Sequence, residues 1–203
     1  PTGPLSVYGR TKLDGEQRIQ DSGVPHLIFR TAWVYAREGK NFLRTILRLA
    51  TQKEELKIVA DQIGAPTCSA DIALATVRTL SRIYSSVNPP GWPDGAYGIY
   101  HMTAAGRTSW YEFAKAILEE AAAGHSDPWL AEATNGQSIV RRRVIPITTA
   151  EYPTPARRPV YSVLSNERLA QAFGFRLDDW RSQLRRCFTG QGASLVPYII
   201  EYK

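Results

Sequence analysis

Residues 8–22 are rich in helix formers and stop at Gly23 and Pro25, and a compact apolar run, residues 26–31 (HLIFRT), follows at once. Glycine and proline end helices, the first through backbone freedom and the second through its missing N–H, and a short apolar run straight after a helix is the pattern of a strand buried in a parallel sheet. The junction recurs: residues 41–53 carry Phe42, Ile46, Leu49 and Ala50 on a helical period and lead into 56–60 (LKIVA), which alternates as a strand does. Two such junctions with short joints select an α/β fold.

Further along, 61–67 (DQIGAPT) holds Gly64 and Pro66 and reads as a loop. Ser69 is placed to cap a third helix running to about 84, with Asp71 in the first turn, where the helix dipole favours a carboxylate. A loop dense in proline and glycine covers 85–95, and 97–102 reads as a strand. Ser109 and Glu112 form a capping box ahead of Phe113, Ile117, Leu118 and Ala121. Residues 144–148 read as a strand, 151–159 as a Pro-rich irregular stretch, and 166–173 and 179–188 as short helices, the first stopped by Gly174. From 190 to 203 the character changes, and the segment reads as an added strand, a tail or a cloning remnant, with no function assigned to it.

The chain has 203 residues, 43% hydrophobic and 22% charged, enough for one substantial core or two small lobes sharing one, which sets aside disorder and a disulfide-stapled scaffold. Its longest apolar runs, 27–29 and 58–60, fall far short of the ~20 residues that cross a bilayer, so no membrane partner is expected. Cys68 and Cys187 lie far apart with no CxxC or Cys/His cluster, so neither a metal site nor a disulfide is expected and a reducing cytoplasm is the expected compartment. The net charge of +6 is scattered; only 141–143 and 157–158 are tight basic clusters, no nucleic-acid-binding motif accompanies them, and no nucleic-acid partner is expected. A homodimer is compatible with the sequence.

Tyr8 and Lys12 stand at i and i+4 on the first helix, one turn apart on one face. An ammonium there stabilises the phenolate left when the phenol gives up its proton, so the pair suits general acid chemistry. The spacing alone is common, and Tyr111 and Lys115 repeat it on a helix whose Phe113, Ile117 and Leu118 give it an ordinary packing role. The first pair differs in context: its helix leads into the strand ending at Thr31, Ala32 and Trp33, and α/β folds place ligands beyond strand C-termini. On residue type alone, Trp33 reads equally as core, Asn41 equally as a plain N-cap, and Arg157 and Arg158 as solvated loop residues.

Residues 8–16 (YGRTKLDGE), 29–35 (FRTAWVY), 41–42 (NF) and 60–67 (ADQIGAPT), followed in order by Tyr100, His101, Gly106, Trp110, Arg158, Pro159, Ser162 and Leu164, resemble the dTDP-4-dehydrorhamnose reductase family of extended short-chain dehydrogenases/reductases over about 4–188. The resemblance implies the C-terminal part of a Rossmann-like parallel sheet with a small α/β substrate lobe. It divides the chain into 1–36 and 69–107, the dinucleotide-binding lobe, and 37–68 and 108–189, the substrate lobe. It implies reduction of the 4-keto group of dTDP-4-dehydro-L-rhamnose by NADPH or NADH. Tyr8 matches the catalytic acid and Lys12 its neighbour that also holds the nicotinamide ribose, with Thr31 on the cofactor side; Trp33 matches the sugar pocket, and Asn41, Gln62, Arg157 and Arg158 match contacts to the nucleotide sugar.

The pyrophosphate-binding glycine cluster of such enzymes lies upstream of the tyrosine, and only seven residues precede Tyr8, the first of them Pro1. The expectation is therefore a chain cut at its N-terminus that binds cofactor weakly and does not turn over alone. Two other readings share the fold: a non-catalytic binding subunit like the regulatory subunit of methionine adenosyltransferase, and a nucleotide-sugar epimerase or dehydratase.

Overall fold

A computed structural model describes residues 3–85, 96–123, 127–139, 143–155 and 158–198. Helix α1 (Val7–Asp21) leads into β1 (Leu27–Arg30) and the short β2 (Val34–Tyr35), and α2 (Phe42–Gln52) into β3 (Glu55–Val59). Next come β4 (Ile63–Gly64), β5 (Thr67–Cys68), α3 (Ser69–Ser85), β6 (Gly98–His101), β7 (Thr108–Ser109) and α4 (Trp110–Ala122). The chain closes with α5 (Pro128–Ala133), β8 (Arg143–Ile147), α6 (Glu167–Phe173), β9 (Phe175–Leu177), α7 (Trp180–Thr189) and β10 (Leu195–Pro197).

The strands associate in pairs. β1 with β6, β2 with β5 and β3 with β8 are parallel, while β4 with β7 and β9 with β10 are antiparallel. β1 meets β6 with Phe29 opposite Tyr100 and Arg30 opposite His101; each position of β1 is half-buried rather than fully buried. The stretch 61–67 is not a plain loop, because Ile63 and Gly64 pair with Ser109 and Thr108, and Thr67 pairs with Val34. Strands of two residues leave no periodicity to read. The third helix begins at Ser69 itself, and the tail contributes an added strand in β10. The 86–95 segment of the expected Pro/Gly loop lies outside the described residues.

Two apolar clusters hold these elements. The first buries Leu43, Ile46, Leu47 and Ala50 of α2, an i, i+3, i+4, i+7 stripe, against Phe113 and Ile117 of α4 and Leu184 and Phe188 of α7. Leu43 and Leu47 are buried with Ile46 and Ala50, while Phe42 and Leu49 pack at the cluster's margin. The second joins Ala75 and Ile83 of α3, Tyr100 of β6, and Leu169, Phe173, Phe175 and Leu177 of α6 and β9. Gly174 and Gly190 end α6 and α7 in the left-handed conformation, φ 66° and 72°, which glycine adopts without a Cβ clash. No helix among the described residues is long and apolar enough to cross a membrane.

Candidate active site

Helix α1 starts where the Ser6 hydroxyl accepts the Gly9 N–H, at 3.1 Å, and its body carries no buried residue. One contact fixes its face: Glu16 takes Arg30 of β1 in a two-toothed ion pair, with Arg30 Nε 2.9 Å from Oε1. Tyr8, Lys12 and Glu16 stand at i, i+4 and i+8, so the face that grips β1 also carries the phenol and the ammonium. Arg30 is the last residue of β1, and a rise of 1.5 Å per residue along the helix axis puts Lys12 about 6 Å and Tyr8 about 12 Å from Glu16. Thr31 follows Arg30 and is exposed.

Lys12 Nζ lies 5.5 Å from the centroid of the Tyr8 ring, and Tyr8 is 71% exposed. The second pair has nearly the same geometry, Lys115 Nζ lying 5.3 Å from the Tyr111 ring. The two differ in charge: Lys115 is paired with Glu112 at 3.2 Å, and that carboxylate raises its pKa, whereas Lys12 has no ion pair among the described residues. An ammonium already neutralised by a carboxylate stabilises a phenolate less.

A second group of residues forms a cleft beside β1. Trp33 has φ 51°, a conformation costly for a bulky L-residue. Its indole is stacked on Trp110, with centroids 3.5 Å apart and planes 8° from parallel, and Phe42 packs against Trp110 at 4.5 Å. Gly64 lies against the same indole, leaving room for it because the position has no Cβ. One face of Trp33 is thus spent on Trp110, and what it offers a ligand is the rim of the pair.

Two neighbouring cavities open here. One, about 380 Å³, is lined by Ala32, Trp33, Gln62, Trp110, Arg158 and Ser162, with Pro159. The other, about 400 Å³, is lined by Phe42, Leu49, Lys57, Tyr152 and Thr154 among others, and shares Gln62, Trp110 and Arg158 with the first. Gln62 is 7% exposed, and its Nε2 donates to the Thr149 hydroxyl at 3.1 Å. Asp61 accepts the Thr149 hydroxyl at 2.7 Å and its N–H at 2.9 Å; these two bonds hold its carboxyl below the usual range. Arg158 has no carboxylate in ion-pairing range among the described residues, so its cationic fork is free for an anion.

The structure therefore gathers Trp33, Gln62 and Arg158 in one cleft and holds Tyr8 and Lys12 on α1, which contributes to neither cavity. Asn41 is spent locally: its Oδ1 accepts the Arg44 N–H at 3.2 Å as the N-cap of α2, and its Nδ2 donates to the carbonyls of Ala36 and Glu38. Arg157 lies outside the described residues. Trp110, Lys57, Tyr152 and Gly64 were not singled out as site residues by the sequence; Trp110 and Gly64 stand there only within the stretch that carries the family resemblance.

Residues 1–191 match the family described as the RmlD substrate binding domain. The chain is similar to the dTDP-4-dehydrorhamnose reductase of Burkholderia thailandensis, 46% identical over 92% of this chain and 59% of that protein. Its structure is similar to that of dTDP-4-dehydrorhamnose reductase from Bacillus anthracis in complex with NADP, with TM-score 0.74, 31% identity, and coverage of 93% of this chain and 57% of the other. It is also similar to the Clostridium acetobutylicum reductase structure, with TM-score 0.71, 32% identity and coverage of 92% and 56%. The chain spans somewhat over half the length of the relatives it matches. Its α/β fold is accordingly Rossmann-like, of the extended short-chain dehydrogenase/reductase class.

Proposed function

Because the chain belongs to the RmlD substrate binding domain family, we propose that it supplies the proton-transfer pair and sugar-nucleotide cleft of a dTDP-4-dehydrorhamnose reductase. The observation that carries this is the position of Tyr8 and Lys12, the latter without an ion pair among the described residues, on the α1 face that Glu16 ties to Arg30, the last residue of the strand that leads to the Trp33 cleft. A nicotinamide cofactor, NADPH or NADH, supplies the hydride. Of the residues present, the exposed Lys12 ammonium and Thr31 hydroxyl fit the hydroxyls of its ribose, while the described residues contain no Gly-rich strand-to-helix turn to cradle its phosphates.

In this reading Tyr8 donates its phenolic proton to the C4 oxygen of the keto sugar, and Lys12 stabilises the phenolate that remains. The Trp33–Trp110 rim meets the apolar face of the deoxyhexose, Gln62 a sugar hydroxyl, and Arg158 the diphosphate at the wall the two cavities share. Arg157, adjacent in sequence, is proposed for the same diphosphate. Asn41 shapes the 36–41 loop and contributes to binding through that loop rather than through a free amide. The lobe division expected from the sequence is part of the proposal, with 169–177 packing against α3 and β6.

Calorimetric titration of the chain with dTDP-L-rhamnose tests the cleft independently of turnover. Saturable binding at one site, lost in Arg158→Ala, supports the reading. Binding that is equal for dTDP-L-rhamnose and free rhamnose, or that survives Arg158→Ala unchanged, contradicts it.

A further inference from the structure

Away from the cleft, the two cysteines that sequence left unrelated meet. Cys68 ends β5 and Cys187 lies on α7; both are buried, 6% exposed, both thiols are free, and both line one cavity. The meeting follows from the packing of α7 under β5, where Gln183 of α7 accepts the Cys68 N–H at 2.9 Å and donates to the Asp178 carbonyl at 2.8 Å. Both cysteines line a cavity of about 280 Å³ with Arg37, Asp71 and Arg186.

The surroundings of the two sulfurs differ. Cys68 immediately precedes α3, so its sulfur lies at the start of that helix beside the backbone N–H groups of its first turn. The neighbouring Cys187 thiol first, and the Ala70 and Asp71 N–H groups, bring its pKa down to about 7 against the opposing effect of burial. Cys187 is pushed up, by the neighbouring Cys68 thiol first and then by burial. The Asp71 carboxylate disfavours a Cys68 thiolate, but is itself held by Arg186 at 2.8 Å and the Ser194 N–H at 3.2 Å. Arg37 faces Cys187, donating to its carbonyl at 2.7 Å. Tyr35, opposite Cys68 in the β2–β5 register, has a buried hydroxyl with no partner among the described residues, and Arg186 Nε is likewise unpartnered. The cavity thus brings together a nucleophilic sulfur, a second thiol and, in Arg186, a spare donor for a new oxygen.

We propose that Cys68 and Cys187 are a redox-active thiol pair, Cys68 reacting with a hydroperoxide and Cys187 closing the product to an intrachain disulfide. In the first step the Cys68 sulfur attacks the peroxide: an S–O bond forms, the O–O bond breaks, sulfur loses two electrons, and the leaving oxygen takes a proton to depart as water or an alcohol. In the second the Cys187 sulfur attacks the Cys68 sulfenic acid: an S–S bond forms, the S–O bond breaks, and the hydroxyl leaves as water with the Cys187 proton.

The test exposes the folded chain to hydrogen peroxide, then unfolds it under a thiol-alkylating tag and weighs it. The expected result is loss of both titratable thiols, a mass lower by two hydrogens, and full reversal by dithiothreitol. In Cys187→Ser the reaction stops at a sulfenic acid on Cys68 that dimedone captures, and Cys68 there is consumed faster than Cys187 in Cys68→Ser, because Cys68 keeps its place at the start of α3, which favours the thiolate. Wild-type thiols that survive the exposure, oxidation to sulfinic acid without a disulfide, or a disulfide only between two chains would each overturn the proposal. Equal rates in the two variants would overturn the roles assigned to the sulfurs.

Discussion

Trp33 lies flat on Trp110, ring centroids 3.5 Å apart, although one residue follows β1 and the other opens α4. The stack joins the end of the helix-to-strand unit that carries Tyr8 to the helix that walls the cleft. It also holds Trp33 at φ 51°, a strain of roughly 1–3 kcal/mol that the surrounding contacts must offset. Gly64 is the position on which this depends, since a Cβ there would overlap the indole and stand 2.6 Å from its Nε1.

Gly64→Ala should therefore unstack Trp33 or push β4 away from β7. The expected cost is about 1–3 kcal/mol in urea unfolding, as for other overpacked sites, together with a changed near-UV circular dichroism band from the two indoles. An unchanged spectrum with unchanged stability would show that the indole has room the structure does not give it.

Arg158 stands at both cavities without an ion-pair partner among the described residues. Hydrogen bonds from a charged group contribute about 1.5–3 kcal/mol, so Arg158→Ala should weaken dTDP-L-rhamnose binding by roughly tenfold to a hundredfold. Arg158→Lys should recover only part of the loss, because an ammonium lacks the two-pronged geometry. The weakening of wild-type binding by added salt should be smaller in the alanine variant.

The latch behind Gln62 sets a pH dependence. Asp61 is lowered by the Thr149 hydroxyl first and then its N–H, and Glu151 by the Thr148 N–H at 2.7 Å and then the Thr148 hydroxyl. A carboxyl held low in the folded state stabilises it above the unfolded value, about 4, and this stabilisation disappears as pH falls through the folded value. Both groups face solvent, so the effect is small. Thr149→Val should be less stable than wild type at neutral pH, and the difference, followed by denaturation at a series of pH values, should shrink below about pH 4. A difference that grows on acidification would contradict this account of the latch.

Asp71, 2% exposed, is bound by Arg186 at 2.8 Å, and Arg186 also reaches Asp178 at 2.6 Å, tying α3 to α7. Removing one partner of a buried pair leaves the other uncompensated, at a cost of about 3–5 kcal/mol. Asp71→Ala should show a loss of that order in urea unfolding, and the double variant with Arg186→Met should be less destabilised than the sum of the two single changes.

Much of this was legible because it is local. The α2 period and its Asn41 cap, the stop at Gly174 and the strand after α1 all follow from residues within a few positions of one another. What escaped was non-local. Trp110 has no role in the sequence beyond the family resemblance until its partner Trp33 is brought from another element, and Cys68 and Cys187 look unrelated until α7 packs under β5. The two Tyr/Lys pairs show the limit of spacing: 5.5 Å and 5.3 Å are nearly the same distance, and only the Glu112 carboxylate beside Lys115 tells them apart.

The most direct measurement is NAD(P)H oxidation with dTDP-4-dehydro-L-rhamnose. Because the chain spans 59% of its Burkholderia thailandensis relative, it is run on the chain alone and on the chain joined to the part of that relative outside the match. The account predicts one NAD(P)H consumed per sugar reduced by the joined protein. Tyr8→Phe should lower the rate by about 10²–10⁴-fold, the usual contribution of a general acid, with dTDP-L-rhamnose binding retained. Full turnover in Tyr8→Phe, or a folded joined protein that binds cofactor and sugar yet consumes no NAD(P)H, would contradict it.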